Sequence, residues 1–174
     1  MPLVRYYVAT SIDGFIATRD GGTTWLDAFH GEGGRSWNEF IGEIGGIIMG
    51  RASWEKMLSF GPWDLSQPTM VLTSRSLAAP VDGVETFSGD VNIALAKLAE
   101  KVTKGDIWLV GGGKAAAQLL DAGLIDRLEL TVMPIVLGRG IPLFEGAKNM
   151  HTLSLESTRE TGLGRIESTY VKRG

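Results

Sequence analysis

The sequence predicts an α/β fold built on a mixed, mostly parallel sheet, and three stretches carry this prediction. In residues 107–122 a short apolar run leads through three glycines into a helix-forming segment, and residues 47–58 repeat that order. Both apolar runs are continuous, which is typical of strands that are buried on both faces of a parallel sheet. Residues 152–172 instead alternate around Gly162 and Gly164, which predicts an antiparallel hairpin at the C-terminal end.

Length and composition favour a single soluble domain that spans residues 1–174. The chain has no cysteine, so neither a disulfide framework nor thiolate chemistry is available. The net charge of −3 and the scattered basic residues do not favour a nucleic-acid partner. No apolar run approaches the ~20 residues of a membrane span, and the N-terminal segment does not resemble a signal peptide. We therefore expect a cytoplasmic protein with no membrane partner.

Periodicity and capping signals predict one mixed sheet of about eight strands with about four helices. Ser36 and Glu39 form a predicted capping box for the first helix, whose apolar face runs from Trp37 to Ile44, with Gly45-Gly46 as its end. The other predicted helices are 52–58, 91–103 and 114–122. The predicted strands are 3–9, 15–17, 47–49, 69–73, 84–87, 107–110, 127–137, 152–160 and 165–172.

Residues 19–35 form a long glycine-rich loop that carries Trp25, Asp27 and His30. Loops of this length are uncommon in compact domains unless they are functional or disordered. The aromatic residues argue against disorder. We therefore interpret residues 19–35 as a lid segment over a pocket.

The glycines after two buried strands predict an anion site. A helix that begins there presents unpaired N–H groups and a partial positive charge, which suit a pyrophosphate. Gly111, Gly113 and Ala116 match a dinucleotide fingerprint, but the acidic residue expected ~20 positions later would be Glu129, inside the next strand. An ordinary Rossmann domain is therefore not favoured. The alternative for these glycines is tight packing between strand and helix.

An ordered set of motifs resembles the dihydrofolate reductase-like superfamily, and specifically its riboflavin-type pyrimidine reductase branch. The resemblance covers nearly the whole chain. It rests on residues 11–17 (SIDGFIA), 47–55 (IIMGRASWE), 72–75 (LTSR), 110–113 (VGGG), 123–128 (GLIDRL) and 134–138 (PIVLG).

This resemblance implies NADPH as the cofactor. By this resemblance, Ala9 and Ile16 match backbone positions beside the nicotinamide. Thr73, Ser74 and Arg75 match the segment around the 2′-phosphate. The phosphate-binding positions match Gly50, Arg51, Ser53, Gly111, Gly112, Gly113 and Lys114. The implied reaction is hydride transfer to a pyrimidine- or pteridine-like small molecule, as in 5-amino-6-(5-phosphoribosylamino)uracil reductase.

The substrate side departs from the family pattern. Gly111 stands where the riboflavin-pathway reductases usually carry a glutamate, and their second arginine-rich substrate segment is missing. Candidate proton donors are Asp27, Glu39 or water, and the candidate substrate-binding residues are Trp25 and Asp13. Dihydrofolate reductase itself and a non-catalytic nucleotide-binding module remain the alternatives.

Two further expectations concern assembly and metals. The resemblance implies a homodimer, in which the long strand 127–137 and the C-terminal hairpin could pack across a two-fold axis. His30 and His151 lie far apart and show no metal-ligand spacing, so we expect no metal site.

Overall fold

An eight-stranded mixed sheet forms the centre of the protein. A computed structural model describes residues 1–29, 34–77 and 81–173. The sheet order is β5-β4-β3-β6-β1-β7-β10-β9, and a separate two-stranded sheet joins β2 and β8. The strands are Val4–Ser11 (β1), Phe15–Ala17 (β2), Ile44–Gly50 (β3), Thr69–Leu72 (β4), Val84–Phe87 (β5), Asp106–Gly111 (β6), Arg127–Met133 (β7), Ile141–Pro142 (β8), Leu153–Glu160 (β9) and Ile166–Lys172 (β10).

The strand directions confirm the predicted fold class. The six strands from β5 to β7 pair in parallel, whereas β10 pairs antiparallel with both β7 and β9. Four α-helices occur in the described residues: Trp37–Ile41 (α1), Arg51–Leu58 (α2), Val91–Ala99 (α3) and Gly113–Asp121 (α4). The C-terminal hairpin is β9–β10.

The first helix is shorter than its apolar spacing predicts. Ser36 and Glu39 form the predicted capping box, but α1 ends at Ile41 with Gly42 as its C-cap. Ile44 already pairs with Asp106 of β6, so the chain has entered β3 before Gly45 and Gly46. A side chain at Gly45 would collide with the carbonyl of Lys104. These glycines therefore allow close strand packing and do not end the helix.

Helices cover both faces of one half of the sheet. On one face α3 and α4 pack over β1, β3, β4 and β6, around Tyr6, Ile48 and Leu109. On the other face α1 and α2 cover Ile47, Met49 and Trp108. The second face continues across β7, β10 and β9, where its side chains are mostly polar. Both clusters bury large apolar areas, which supply most of the stability of such a domain.

The lid segment contains a 3-10 helix at Thr24–Phe29. The end of this 3-10 helix contacts the turn of the C-terminal hairpin through the buried side chain of Arg165. Arg165 Nη1 donates to the Phe29 carbonyl at 3.1 Å, and Arg165 Nε donates to the Gly162 carbonyl at 3.0 Å. Residues 30–33, including His30, lie outside the described part of the chain. Before the lid segment, β2 pairs with β8, and Ile16 lies between the two paired residues Phe15 and Ala17.

Among the residues that the structure describes, no helix is both long and apolar enough to span a bilayer.

Candidate active site

A cleft of about 950 Å³ lies at the carboxyl ends of β1, β3, β4 and β6. Ligands of open α/β sheets bind at this edge. Ten of the twelve residues predicted to bind the cofactor line this cleft: Ala9, Ile16, Gly50, Arg51, Ser53, Thr73, Ser74, Gly112, Gly113 and Lys114. The remaining two, Gly111 and Arg75, adjoin lining residues in the sequence.

The two helices that begin at the cleft have no side-chain cap. Gly50 precedes α2 and Gly112 precedes α4, and neither position can offer a side-chain oxygen to the first turn. By contrast, Ser36 caps α1 and Asp90 caps α3. The first-turn N–H groups of α2 and α4 are therefore left for an external acceptor, and both helix dipoles favour an anion there.

The three consecutive glycines have different surroundings. Gly111 has a φ of 121° and precedes a cis peptide bond to Gly112. A Cβ at Gly112 would meet only Ser53 Oγ, at 3.6 Å, so its backbone is open to the cleft. A Cβ at Gly113 would collide with the Pro142 carbonyl. Gly112 therefore suits close approach of a ligand, whereas Gly113 is required by packing.

Arg51 lines the cleft and also makes hydrogen bonds within the protein. Its Nε donates to Glu55 Oε1 at 2.7 Å, and its Nη1 donates to the carbonyls of Arg75 and Ser76 at 3.3 and 3.0 Å. The Arg75 amide in turn donates to Thr73 Oγ1 at 3.1 Å. These bonds fix the turn after β4 from two sides and leave the side chain of Arg75 exposed to solvent.

The predicted acids and substrate residues do not line the cleft. Glu39 is committed to the capping box, and hydrogen bonds from Ser36 lower the pKa of its carboxyl. Asp13 accepts from the amides of Leu137 and Gly138, and its hydrogen bond from the Ser11 hydroxyl lowers its pKa. Asp13 therefore joins the loop after β1 to the loop after β7.

Trp25 and Asp27 lie in the 3-10 helix of the lid segment, but neither is a lining residue. The indole N–H of Trp25 is buried and has no hydrogen-bond acceptor among the residues that the structure describes. The lid segment instead reaches the cleft through Thr23 and Leu26.

A charge cluster around the buried side chain of Arg5 was not predicted from the sequence. Arg5 is only 3% exposed, and its guanidinium donates to Glu129 Oε1 and to Glu43 Oε2, both at 2.7 Å. Arg35 also contacts Glu43, and the two arginines hold the pKa of the Glu43 carboxyl at about 2. One signal in the sequence could have indicated this cluster. Arg5 stands in an apolar strand, and an arginine that is buried there requires a charged or polar partner.

Comparisons with known proteins agree with this architecture. Uncharacterized protein YwjB of Bacillus subtilis (strain 168) is 32% identical over 95% of each chain. A crystal structure from Shewanella sp. PV-4, whose name assigns it provisionally to riboflavin biosynthesis, is 25% identical, covers 100% of both chains and has a TM-score of 0.85. Dihydrofolate reductase from Enterococcus faecalis, complexed with NADP(H), has the same fold, with a TM-score of 0.62, 21% identity and coverage of 99% and 97%.

The family model of the RibD C-terminal domain matches residues 2–166, which is nearly the whole chain. With this match, the predicted dihydrofolate reductase-like fold and its riboflavin-type reductase branch are confirmed, and the chain belongs to the RibD C-terminal domain family.

Proposed function

We propose that the protein is an NADPH-dependent reductase that transfers a hydride to a pyrimidine- or pteridine-like small molecule. The observation that carries this proposal is the pair of uncapped, glycine-led helix N-termini that open into one cleft. Two such N-termini suit the phosphates of a dinucleotide. The family resemblance further supports a cytoplasmic homodimer.

The residues of the cleft fit this cofactor. The open backbone of Gly112 and the start of α2 would hold the pyrophosphate, with the Ser53 hydroxyl beside them. The turn that contains Ser74 and Arg75 would hold the 2′-phosphate, and the nicotinamide would lie between Ala9 and Ile16. When bound, NADPH supplies the hydride from its nicotinamide ring.

The proton donor is best assigned to water. Among the described lining residues Glu145 is the only carboxylate, and it lies 3.7 Å from Lys114 at the phosphate end of the cleft. Glu39 is exposed and its carboxylate completes the capping box of α1, so it would not serve as a proton donor in the cleft. The 3-10 helix of the lid segment would limit the access of further water, because Leu26 already forms part of the cleft wall.

A thermal shift experiment tests the cofactor assignment. At ~100 times its dissociation constant a ligand adds ~2.7 kcal/mol of stability, which in a domain of this size raises Tm by roughly 5–10 °C. We expect a shift of this size with NADPH, and no shift at millimolar NADPH would contradict the assignment.

Oxidation of NADPH in the presence of candidate pyrimidines and pteridines then separates a reductase from a non-catalytic module. The module would bind NADPH with the same thermal shift but would oxidise it with none of the candidate compounds.

A further inference from the structure

A second cavity, of about 540 Å³, lies over the open face of β1, β7, β10 and β9. We call it the polar pocket. Hydroxyl groups of serines and threonines line it together with four arginines and four glutamates. The charged residues are Arg5, Arg35, Arg127, Arg159, Glu43, Glu129, Glu156 and Glu167.

Every arginine of the polar pocket is paired with a carboxylate. Each pair is joined by an ion pair between a guanidinium nitrogen and a carboxylate oxygen. The pairs are Arg5 with Glu129 and Glu43, Arg35 with Glu43, Arg127 with Glu156, and Arg159 with Glu167. The four positive and four negative charges cancel. Residues 30–33, which lie outside the described part, contain no lysine or arginine.

The polar pocket adjoins the proposed reaction centre. Tyr7 lines both the cleft and the polar pocket. Thr131, which lines the polar pocket, is the register partner of Ala9 across the β1–β7 pair. Adjacent strands are ~4.8 Å apart, so the pocket begins one strand spacing from the position proposed for the nicotinamide. A heterocycle placed there would project its substituents towards Tyr7 and Thr131.

We propose that the polar pocket receives the substituent of the substrate and selects an uncharged, hydroxyl-bearing group over a phosphorylated one. This inference rests on the proposed reductase function. A phosphate ester carries nearly two negative charges and needs cations that are not already neutralised. The polar pocket offers hydroxyl donors and acceptors but no net positive charge. The substrate class therefore differs from the phosphoribosyl compound that the family resemblance implies.

Cations at the cleft do not change this conclusion. Arg19, Lys56 and Lys114 line the cleft itself, where the phosphates of the dinucleotide would lie. A substrate phosphate would have to compete with the cofactor for these side chains. The polar pocket, on the opposite side of Tyr7, presents only paired arginines among its described residues.

Binding of 5-amino-6-(ribosylamino)uracil and of its 5-phosphate tests the inference directly. Calorimetry on the full chain with saturating NADPH should show at least about tenfold tighter binding of the unphosphorylated compound. Equal or tighter binding of the phosphate, or no binding of either compound, overturns the inference. Absence of NADPH binding in the same experiment would instead overturn the proposed function. The relative affinities of the two compounds, measured without NADPH, would still test the inference about the polar pocket.

Charge-pair variants provide a second, independent measurement. Glu156→Gln and Glu167→Gln each release an arginine, so each should shift the preference towards the phosphate by about tenfold. Glu100→Gln is the matched control, because Glu100 is exposed at the C-cap of α3. Circular dichroism should show the same fold in all variants. An unchanged preference in both pocket variants would overturn the inference.

Discussion

Replacement of Arg75 by alanine should weaken NADPH binding and leave NADH binding nearly unchanged. The turn that carries Arg75 is held by Arg51, which donates to two of its carbonyls, and by Thr73, which accepts from the Arg75 amide. The guanidinium itself is exposed beside Ser74. It is therefore well placed to contact the 2′-phosphate that NADPH has and NADH lacks.

The expected loss follows from the kind of bond that is removed. A hydrogen bond to a charged group contributes ~1.5–3 kcal/mol, and arginine can form two such bonds to one phosphate. Exposure to solvent reduces such contributions towards ~1 kcal/mol. We therefore expect NADPH affinity to fall by about tenfold, with about a hundredfold as the limit for a bidentate contact. Raising the salt concentration should reduce the difference between the two cofactors.

Titration calorimetry with NADPH and NADH measures both affinities. Arg173→Ala is the matched control, because Arg173 is also exposed but does not line the cleft. The assignment of Arg75 is refuted if Arg75→Ala and the Arg51/Arg75 double variant lose affinity for both cofactors equally. It is also refuted if neither variant loses affinity for either cofactor.

Further predictions concern the glycines of the cleft, two charged side chains and the assembly of the protein. Gly112→Val should abolish NADPH binding with an unchanged circular dichroism spectrum, whereas Gly113→Ala should lower the free energy of unfolding by ~1–3 kcal/mol in urea, because its Cβ meets a backbone carbonyl. Arg5→Ala should cost ~1–3 kcal/mol in the same assay, because Glu129, whose side chain is only 13% exposed, loses its hydrogen bonds from the guanidinium. The pKa of Asp121 is lowered from 3.8 to about 2 by its hydrogen bond from His151 and by backbone amides. The contribution of the Asp121 carboxylate to the free energy of unfolding is therefore complete above pH 3.8 and is lost as the pH falls through about 2. Over that pH interval, the Tm of Asp121→Asn should decline less steeply than the Tm of the wild type. Light scattering at micromolar concentration should give the mass of a homodimer, and a monomer mass would contradict the resemblance-based expectation.

The sequence alone determined the features that depend on near neighbours in the chain. The strand–glycine–helix order at Gly50 and at Gly112 follows from apolar runs and from glycine, and the structure has both junctions where they were predicted. The capping box at Ser36 needs only two residues that lie three apart. The alternation in β9 and β10 likewise fixed the hairpin.

Only the tertiary structure decided which distant residues meet. Pairing with β6 places Ile44 in a strand, although its spacing fits the preceding helix, because the strand bonds and close packing at Gly45 outweigh local propensity. The same long-range pairing brings Arg5 to Glu129, 124 positions away, and aligns Ala9 with Thr131. Short-range sequence patterns carry no information about such contacts, because the strand order that creates them is a property of the whole sheet. The cofactor side could therefore be predicted from local motifs, whereas the polar pocket could be found only after the strands were in place.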